Sequence, residues 1–108
     1  MIQYTTMAVY EVIVSPEFKK EFYKLPTKIQ ERVRKILKKL ETRPTGSPLK
    51  WNLKGFYSVH FNNNHYRLIY VKEDRVIKIM ALHVGKRTNT FYKEFEQEIK
   101  RRGKDLLS

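Results

Sequence analysis

The sequence of 108 residues predicts an α+β fold with an N-terminal strand, a helical hairpin, an antiparallel meander and a C-terminal helix. Two observations predict this order. Apolar residues recur at helical spacing in residues 16–40 and near the C-terminus, whereas the segment between these regions alternates as strands do. The length fits one domain spanning residues 1–108, and residues 1–6 are expected to be a dispensable extension because Met7 offers an alternative start.

The first strand and the first helix are predicted near the N-terminus. Residues 9–14 are rich in β-branched side chains, which favours a strand. Ser15-Pro16 has the pattern of an N-cap followed by proline at the first helical position. The helix that follows is expected to turn Phe18 and Phe22 inward and to end near Leu25-Pro26.

The second helix is expected to begin at Thr27, whose side chain would cap it while Gln30 completes a capping box. Its apolar residues form one stripe, which predicts a buried face; they are Ile29, Val33, Ile36, Leu37 and Leu40. Its remaining surface is basic and carries Lys28, Arg32, Arg34, Lys35, Lys38 and Lys39. The two helices should therefore form an antiparallel hairpin with one buried and one basic edge.

A meander of three strands is predicted after a loop at residues 43–48 that contains two prolines and a glycine. The strands are expected at Phe56–Phe61, residues 65–71 and residues 75–84, with turns at residues 62–64 and 72–74. Such short connections make neighbouring strands antiparallel. One face of the sheet is expected to lie against the helices and the other to be partly open.

The aromatic residues of the chain are assigned mainly to apolar faces, so they give little support for a platform on which bases stack. A last helix is expected to start near residues 89–90 and to present Phe91, Phe95 and Ile99. Trp51 is expected to pack its loop against the core rather than to stack on a base.

The charge of the chain indicates a polyanionic partner. The 23 Lys and Arg residues against 11 Asp and Glu residues give a net charge of +12, which favours nucleic acid first, an acidic protein second and a membrane surface third. The absence of cysteine excludes disulfides and thiolate metal sites. No long apolar run or signal-peptide pattern is present, so a cytoplasmic protein without membrane attachment is expected.

Alternation along the strands groups the polar side chains of the meander. Ser58 and His60 share one side of their strand, and Arg67 lies on the polar side of the next. His83 has the parity of Arg87 if the last strand is not bulged. If these sides coincide, two imidazoles and two guanidinium groups converge on one shallow surface without a carboxylate.

A set of cations and imidazoles suits RNA cleavage by the substrate's own 2′-hydroxyl, which needs no metal and no protein nucleophile. Arginine stays charged and can bind two phosphate oxygens at once. Histidine or tyrosine can transfer the protons, and each correctly placed acid or base would raise the rate of cleavage by roughly 10²–10⁴-fold. The candidate catalytic residues on this surface are Arg67, Arg87 and His60. The candidate RNA-binding residues are Lys54, Lys86, His83, Lys35, Lys38 and Lys39.

Each candidate also has an ordinary structural explanation. His60 could be a polar surface residue, Arg67 could form an ion pair with Glu73 or Asp74, and Tyr92 could belong to the core. The three histidines of the chain lack neighbouring carboxylates at ligand spacing, so neither a metal nor another cofactor is predicted.

Several fragments together resemble the RelE/ParE toxin superfamily over residues 9–102. They are Ser15-Pro16-Glu17-Phe18, Leu25-Pro26, Leu53-Lys54-Gly55-Phe56-Tyr57, Tyr66-Arg67-Leu68-Ile69-Tyr70, His83-Val84-Gly85-Lys86-Arg87 and Phe91-Tyr92. The resemblance implies a RelE-like fold related to microbial ribonucleases. In the RelE branch it implies a toxin that cleaves messenger RNA in the ribosomal decoding site.

The resemblance also implies roles for individual residues. Arg67 matches the arginine that holds the phosphate, Arg87 matches a second catalytic arginine, and Tyr92 lies close to the position of the catalytic tyrosine. Two lysines of the RelE branch fall on Ser58 and His60 here, so His60 would replace a lysine as base or charge stabiliser, and Lys54 would compensate for Ser58.

The resemblance leaves two alternatives open. A ParE-like toxin would inhibit DNA gyrase without cutting RNA, and a catalytically weak member would only bind RNA or the ribosome. In every case a cognate antitoxin is the implied partner, joined in the RelE branch by the ribosome and messenger RNA. The antitoxin would neutralise the toxin either by masking Arg67 and Arg87 or by displacing the C-terminal helix.

Overall fold

The computed structural model describes residues 9–102, which form an α+β structure with the predicted order of elements. The elements are β1 (Glu11–Val14), α1 (Pro16–Tyr23), α2 (Thr27–Leu40), β2 (Ser47–Pro48), β3 (Phe56–Phe61), β4 (Tyr66–Glu73), β5 (Lys78–Lys86) and α3 (Phe91–Arg102), with a 3-10 turn at Trp51–Leu53. The predicted extension at residues 1–6 lies outside the described residues.

The strands form one sheet in the order β1-β5-β4-β3-β2. The predicted antiparallel pairing of β3 with β4 and of β4 with β5 is confirmed. The first strand pairs parallel with β5, with Glu11 opposite Lys78 and Val14 opposite Ala81. Because β5 lies between β1 and β4, it is apolar on both sides, as a central strand is.

The two faces of the sheet are covered by different helices. One buried cluster joins α1 and α2 to the sheet through residues that include Phe18, Val33, Leu40, Leu68 and Tyr70. The second cluster joins α3 to the opposite face and contains Leu53, Ile69, Leu82, Phe91 and Phe95. Helices therefore cover both faces, and the expectation that all helices lie on one face is wrong.

A bulge in β5 decides which side chains reach the face that α3 covers. Ile69 lies opposite His83, but Tyr70 lies opposite Ala81, so Leu82 is an extra residue in β5. Because the bulge comes before His83, the strand alternates regularly from His83 to its end at Lys86. Leu82 and His83 consequently both contact α3 side chains.

The start of the second helix differs from the prediction. Pro26 occupies the N-cap position and Thr27 is the first helical residue, without a side-chain capping bond. Gln30 turns back and donates its side-chain N–H to the carbonyl oxygen of Leu25 at 3.0 Å. The capping box is therefore wrong, because proline already sets the extended backbone that enters the helix.

Several predicted boundaries shift by a few residues. The first strand begins at Glu11, and the first helix ends at Tyr23. The predicted loop ends in β2, in which Ser47 pairs with Ser58. The last strand begins only at Lys78 because residues 74–77 form the turn, in which Ile77 has a left-handed φ of 54°.

Candidate functional site

The pairing of β3 with β4 places His60 directly opposite Arg67. Arg67 in turn lies opposite Gly85 of β5, two residues before Arg87. The backbone N–H of Arg87 donates to the carbonyl oxygen of His65 at 2.7 Å, which fixes the end of β5 beside the start of β4. One imidazole and two guanidinium groups are thereby brought to one end of the sheet.

The side chain of Arg67 is held by the turn between β3 and β4. The residue is only 6% exposed, and its Nη1 donates to the carbonyl oxygen of Asn64 at 2.9 Å. Residues Asn62, Asn63 and Asn64 all have left-handed φ angles, of 52°, 57° and 71°, a conformation that asparagine tolerates well. The Nε of Arg67 is buried without a hydrogen-bond partner among the described residues.

The charge of Arg67 is not neutralised by Glu73 at the end of its strand or by Asp74 in the turn that follows. Glu73 pairs with Arg75 and Asp74 pairs with Lys72, at N–O distances of 3.4 and 3.8 Å. Arginine does not lose its proton in proteins. Arg67 is therefore a fixed positive charge beside His60.

The environment of His60 favours its neutral form. Partial burial of the ring, followed by the positive charges of Arg67 and Arg87, lowers the pKa of His60 below its ordinary value of 6.5. Each effect disfavours an added positive charge on the imidazole. A neutral imidazole can accept a proton, which is the state that a general base requires.

We expect Arg87→Ala to raise the pKa of His60 because it removes one of the charges that repel the imidazolium. Protonation of His60 in the variant should then begin at a higher pH than in the parent protein. The measurement is an NMR titration of the His60 ring in both proteins. Arg75→Ala, which changes an exposed arginine in the turn after β4, is the matched control and should leave the His60 curve unchanged. An identical His60 titration in Arg87→Ala and the parent would contradict the proximity of the two groups.

The tyrosine of α3 is fixed by a serine of β3. The hydroxyl oxygens of Tyr92 and Ser58 lie 2.9 Å apart, and Ser58 is 1% exposed. Ser58 lies two residues before His60 on the same side of β3. The alternation of β3 predicts that Ser58 lies on this face but not that it contacts Tyr92, since strand parity does not show which helix residue lies above it.

The structure places His83 differently from the other candidates. Its Nδ1 lies 2.7 Å from a carboxylate oxygen of Glu21 in α1, and the side chain is 14% exposed. Its ring lies 4.4 Å from the Phe91 ring and 5.6 Å from the Phe95 ring. His83 therefore contacts both α1 and α3, and its ring is largely covered on the face of the sheet that also carries Ser58.

Glu21 is a residue that sequence reasoning missed. One carboxylate oxygen contacts His83, and the other accepts the backbone N–H of Val84 at 3.0 Å. Glu21 thus accepts a hydrogen bond from a β5 backbone N–H that lies beyond the last residue that β5 pairs with β1. No sequence signal links Glu21 to β5, because the contact depends on how α1 packs on the strand edge.

The candidate RNA-binding lysines occupy separate surfaces. Lys86 is exposed at the end of β5, and Lys54 is exposed after the 3-10 turn. The exposed lysines of α2 lie on the other side of the sheet from α3; they are Lys35, Lys38 and Lys39. Lys35 lines a groove between α2 and the β3–β4 turn together with Lys28, Arg32 and Asn62.

Trp51 does not pack against the core. It is 88% exposed and adopts a left-handed φ of 55°. Leu53 takes the buried position of the 3-10 turn instead. The expectation that Trp51 packs its loop is therefore wrong, because the left-handed residue at the start of the turn directs the leucine inward.

Two further properties concern residues 9–102. Among them, no group of three or more histidine, aspartate or glutamate residues could hold a metal ion. Within the same residues, no helix combines the length and the apolar character that crossing a membrane requires.

The family model of the ParE toxin of type II toxin–antitoxin system, parDE, matches residues 12–91, which is more than half of the chain. The chain belongs to the ParE toxin family. It is therefore a member of the RelE/ParE superfamily, as its motifs predict, and a toxin of a toxin–antitoxin pair.

Solved structures of related toxins share the fold of this toxin. A chain of the toxin–antitoxin complex RelBE2 from Mycobacterium tuberculosis is 28% identical, with a TM-score of 0.69 over 76% of this toxin and 95% of that chain. A free arginine-to-alanine double mutant of the E. coli toxin RelE is 23% identical, with a TM-score of 0.69 over 88% of this toxin and 98% of that chain. The YoeB/ParE toxin from Agrobacterium tumefaciens is 12% identical, with a TM-score of 0.63 over 72% of this toxin and 99% of that chain. No curated protein matches the toxin significantly.

Proposed function

We propose that this toxin is a ribosome-dependent endoribonuclease that cleaves messenger RNA without a metal or another cofactor and so inhibits translation in the cytoplasm. The observation that carries the proposal is the position of His60 opposite Arg67, with Arg87 near enough that both arginine charges lower the pKa of the imidazole. A neutral base beside two fixed cations is the combination that phosphodiester cleavage by a 2′-hydroxyl needs.

In the proposed reaction His60 removes the proton of the 2′-hydroxyl, and the 2′-oxygen attacks the adjacent phosphorus. The bond from phosphorus to the 5′-oxygen breaks, and that oxygen takes up a proton. The products are a 2′,3′-cyclic phosphate and a 5′-hydroxyl. Charge that develops on the phosphate oxygens is stabilised by Arg87, which is exposed, and by the buried charge of Arg67.

Tyr92 is proposed as the group that completes proton transfer. Its hydroxyl is held 2.9 Å from that of Ser58, on the side of β3 that also carries His60. The two hydroxyls can relay a proton because either can donate to the other. Ser58 carries no charge, so the arginines have to stabilise the charge on the phosphate oxygens that a lysine at this position would stabilise. Lys54 and Lys86 are proposed to contact the RNA on either side of the cleaved phosphate.

The proposed partners are a cognate antitoxin, the ribosome and messenger RNA. Related structures include the RelBE2 complex of Mycobacterium tuberculosis and the RelE–RelB complex of Pyrococcus horikoshii, which supports an antitoxin partner. An antitoxin can neutralise the proposed centre by covering Arg87 or by displacing α3, which carries Tyr92.

Inhibition of DNA gyrase is the second candidate, and the match to the ParE toxin family favours it. The two functions make different demands on the site. A gyrase inhibitor needs no proton-transfer groups, whereas the lowered pKa of His60 and the Ser58–Tyr92 contact suit a nuclease. These features favour the nuclease.

Mapping of cleavage sites on messenger RNA in a translating extract tests the proposal, with a gyrase supercoiling assay run on the same preparation. We expect toxin-dependent cuts in translated messenger RNA, suppressed by the cognate antitoxin, and normal supercoiling. Absence of cuts together with inhibited supercoiling would overturn the nuclease and support the gyrase inhibitor. Absence of both effects would leave only RNA binding or ribosome binding.

A further inference from the structure

Trp51 is the only tryptophan of the chain, and the structure displays it to solvent. The residue is 88% exposed, and its φ of 55° is a left-handed conformation that an aromatic residue adopts only when its surroundings enforce it. Neither its burial nor its backbone conformation explains a tryptophan at this position. An enforced backbone conformation at an exposed aromatic residue points to a binding role.

The turn that carries Trp51 is tied to the body of the protein. The backbone N–H of Leu53 donates to the carbonyl oxygen of Lys50 at 3.1 Å, and the backbone N–H of Lys54 donates to the carbonyl oxygen of Trp51 at 3.0 Å. Leu53 is buried in the cluster beneath α3, and the Asn52 side chain donates to a carboxylate oxygen of Glu96 at 2.7 Å. The exposed ring therefore stands on a fixed base, which lowers the entropic cost of binding a partner.

The position of the turn relates Trp51 to the candidate catalytic site. Leu53 packs with Phe95 on the face of the sheet that α3 covers. Glu96, which holds Asn52, follows Tyr92 by one turn of α3, a rise of about 6 Å. The turn that carries Trp51 therefore packs on the same face of the sheet as Tyr92, just before the start of β3.

The charges around Trp51 favour a nucleic acid over an apolar protein segment. The exposed side chains of Lys50 and Lys54 flank the turn. An aromatic ring beside lysines is the arrangement with which proteins hold single-stranded nucleic acid, because every base has a face that can stack and every nucleotide carries a phosphate. Val76 and Ile77 are also exposed, in the turn between β4 and β5, but as aliphatic residues they offer no aromatic face on which a base can stack.

We infer that Trp51 stacks on an unpaired base of the RNA that the toxin binds, while Lys50 and Lys54 contact the phosphates beside that base. The inference rests on the proposed function for the position of the stacked base relative to the cleaved bond. It adds a contact outside the catalytic centre, one that contributes affinity and does not take part in proton transfer.

The single tryptophan allows a direct test with the full-length toxin, because intrinsic tryptophan fluorescence reports on Trp51 alone. The probe is a short single-stranded RNA with 2′-O-methyl groups, which cannot be cut by its own 2′-oxygen. We expect the RNA to quench Trp51 fluorescence with the same saturation curve as fluorescence anisotropy of a labelled RNA. Trp51→Ala should weaken RNA binding about 5- to 150-fold, the range that base stacking on an aromatic ring contributes, and Trp51→Phe should restore part of it.

Val76→Ala, which removes another exposed apolar side chain, is the matched control and should leave RNA affinity unchanged. Unchanged RNA affinity in Trp51→Ala, RNA binding without quenching, or no RNA binding would each overturn the inference. Quenching by an antitoxin peptide and not by RNA would also overturn it and would identify Trp51 as a protein contact. If the parent toxin makes no cuts in a translating extract but RNA still quenches Trp51, the nuclease proposal fails and the stacking contact stands.

Discussion

Arg87→Ala is expected to abolish translation arrest by this toxin while leaving it folded and able to bind its antitoxin. Arg87 is exposed at the end of β5, so its side chain can contact a phosphate and its loss leaves no cavity. Removal of one group that stabilises transition-state charge costs roughly 10²–10³-fold in turnover. The measurement is protein synthesis in a translating extract, followed over a range of toxin concentrations.

Arg67→Ala is expected to have the same functional effect by a partly different route. It removes the buried charge opposite His60 and leaves the carbonyl oxygen of Asn64 without its donor. Thermal unfolding and antitoxin binding must therefore be measured beside activity. Arg75→Ala, at the opposite end of β4, is the control for loss of positive charge and should arrest translation like the parent. Full arrest by both the Arg67 and Arg87 variants would contradict the catalytic assignment.

Phe95→Ala is expected to lower the free energy of unfolding by about 3–5 kcal/mol, the range for removing a large aromatic side chain from a core. Phe95 is 2% exposed and meets the Phe56 ring edge-on at 5.2 Å and the His83 ring at 5.6 Å. The cavity would loosen α3 and with it the contact between Tyr92 and Ser58. Activity should therefore fall together with stability.

Chemical denaturation of the Phe95→Ala and parent toxins measures the effect. Val76→Ala is a control for removal of an exposed apolar side chain, because substitution of an ordinary surface residue changes stability by about 0.5 kcal/mol or less. A loss of less than about 1 kcal/mol in Phe95→Ala would show that α3 contributes little to the fold. The proposed role of Tyr92 would then lose its structural basis.

The sequence predicts the common face of His60 and Arg67 because side chains alternate strictly along strands. The turn at residues 62–64 sets the register, and the structure pairs the two residues directly. The alternation of Leu68 and Tyr70 with Ile69 likewise predicts which residues reach each buried cluster. Local periodicity suffices for these predictions.

Contacts between distant segments were not predictable in the same way. The pairing of Glu21 with His83 and the parallel pairing of β1 with β5 depend on how helices and strands pack after they form. The exposure of Trp51 was not predicted either, since tryptophan is on average a largely buried residue. The left-handed backbone that displays it has no signature in residues 50–53.

In the proposed reaction His60, Arg67 and Arg87 surround a phosphate which the neighbouring 2′-oxygen attacks. This reaction is tested most directly by replacing that 2′-hydroxyl with hydrogen at the cleaved nucleotide of a messenger RNA bound in the ribosome. The deoxy substitution is expected to block cleavage there, and the unmodified RNA is expected to yield a 2′,3′-cyclic phosphate and a 5′-hydroxyl. Cleavage of the deoxy-substituted RNA, or a 5′-phosphate on the product, would contradict the proposed reaction.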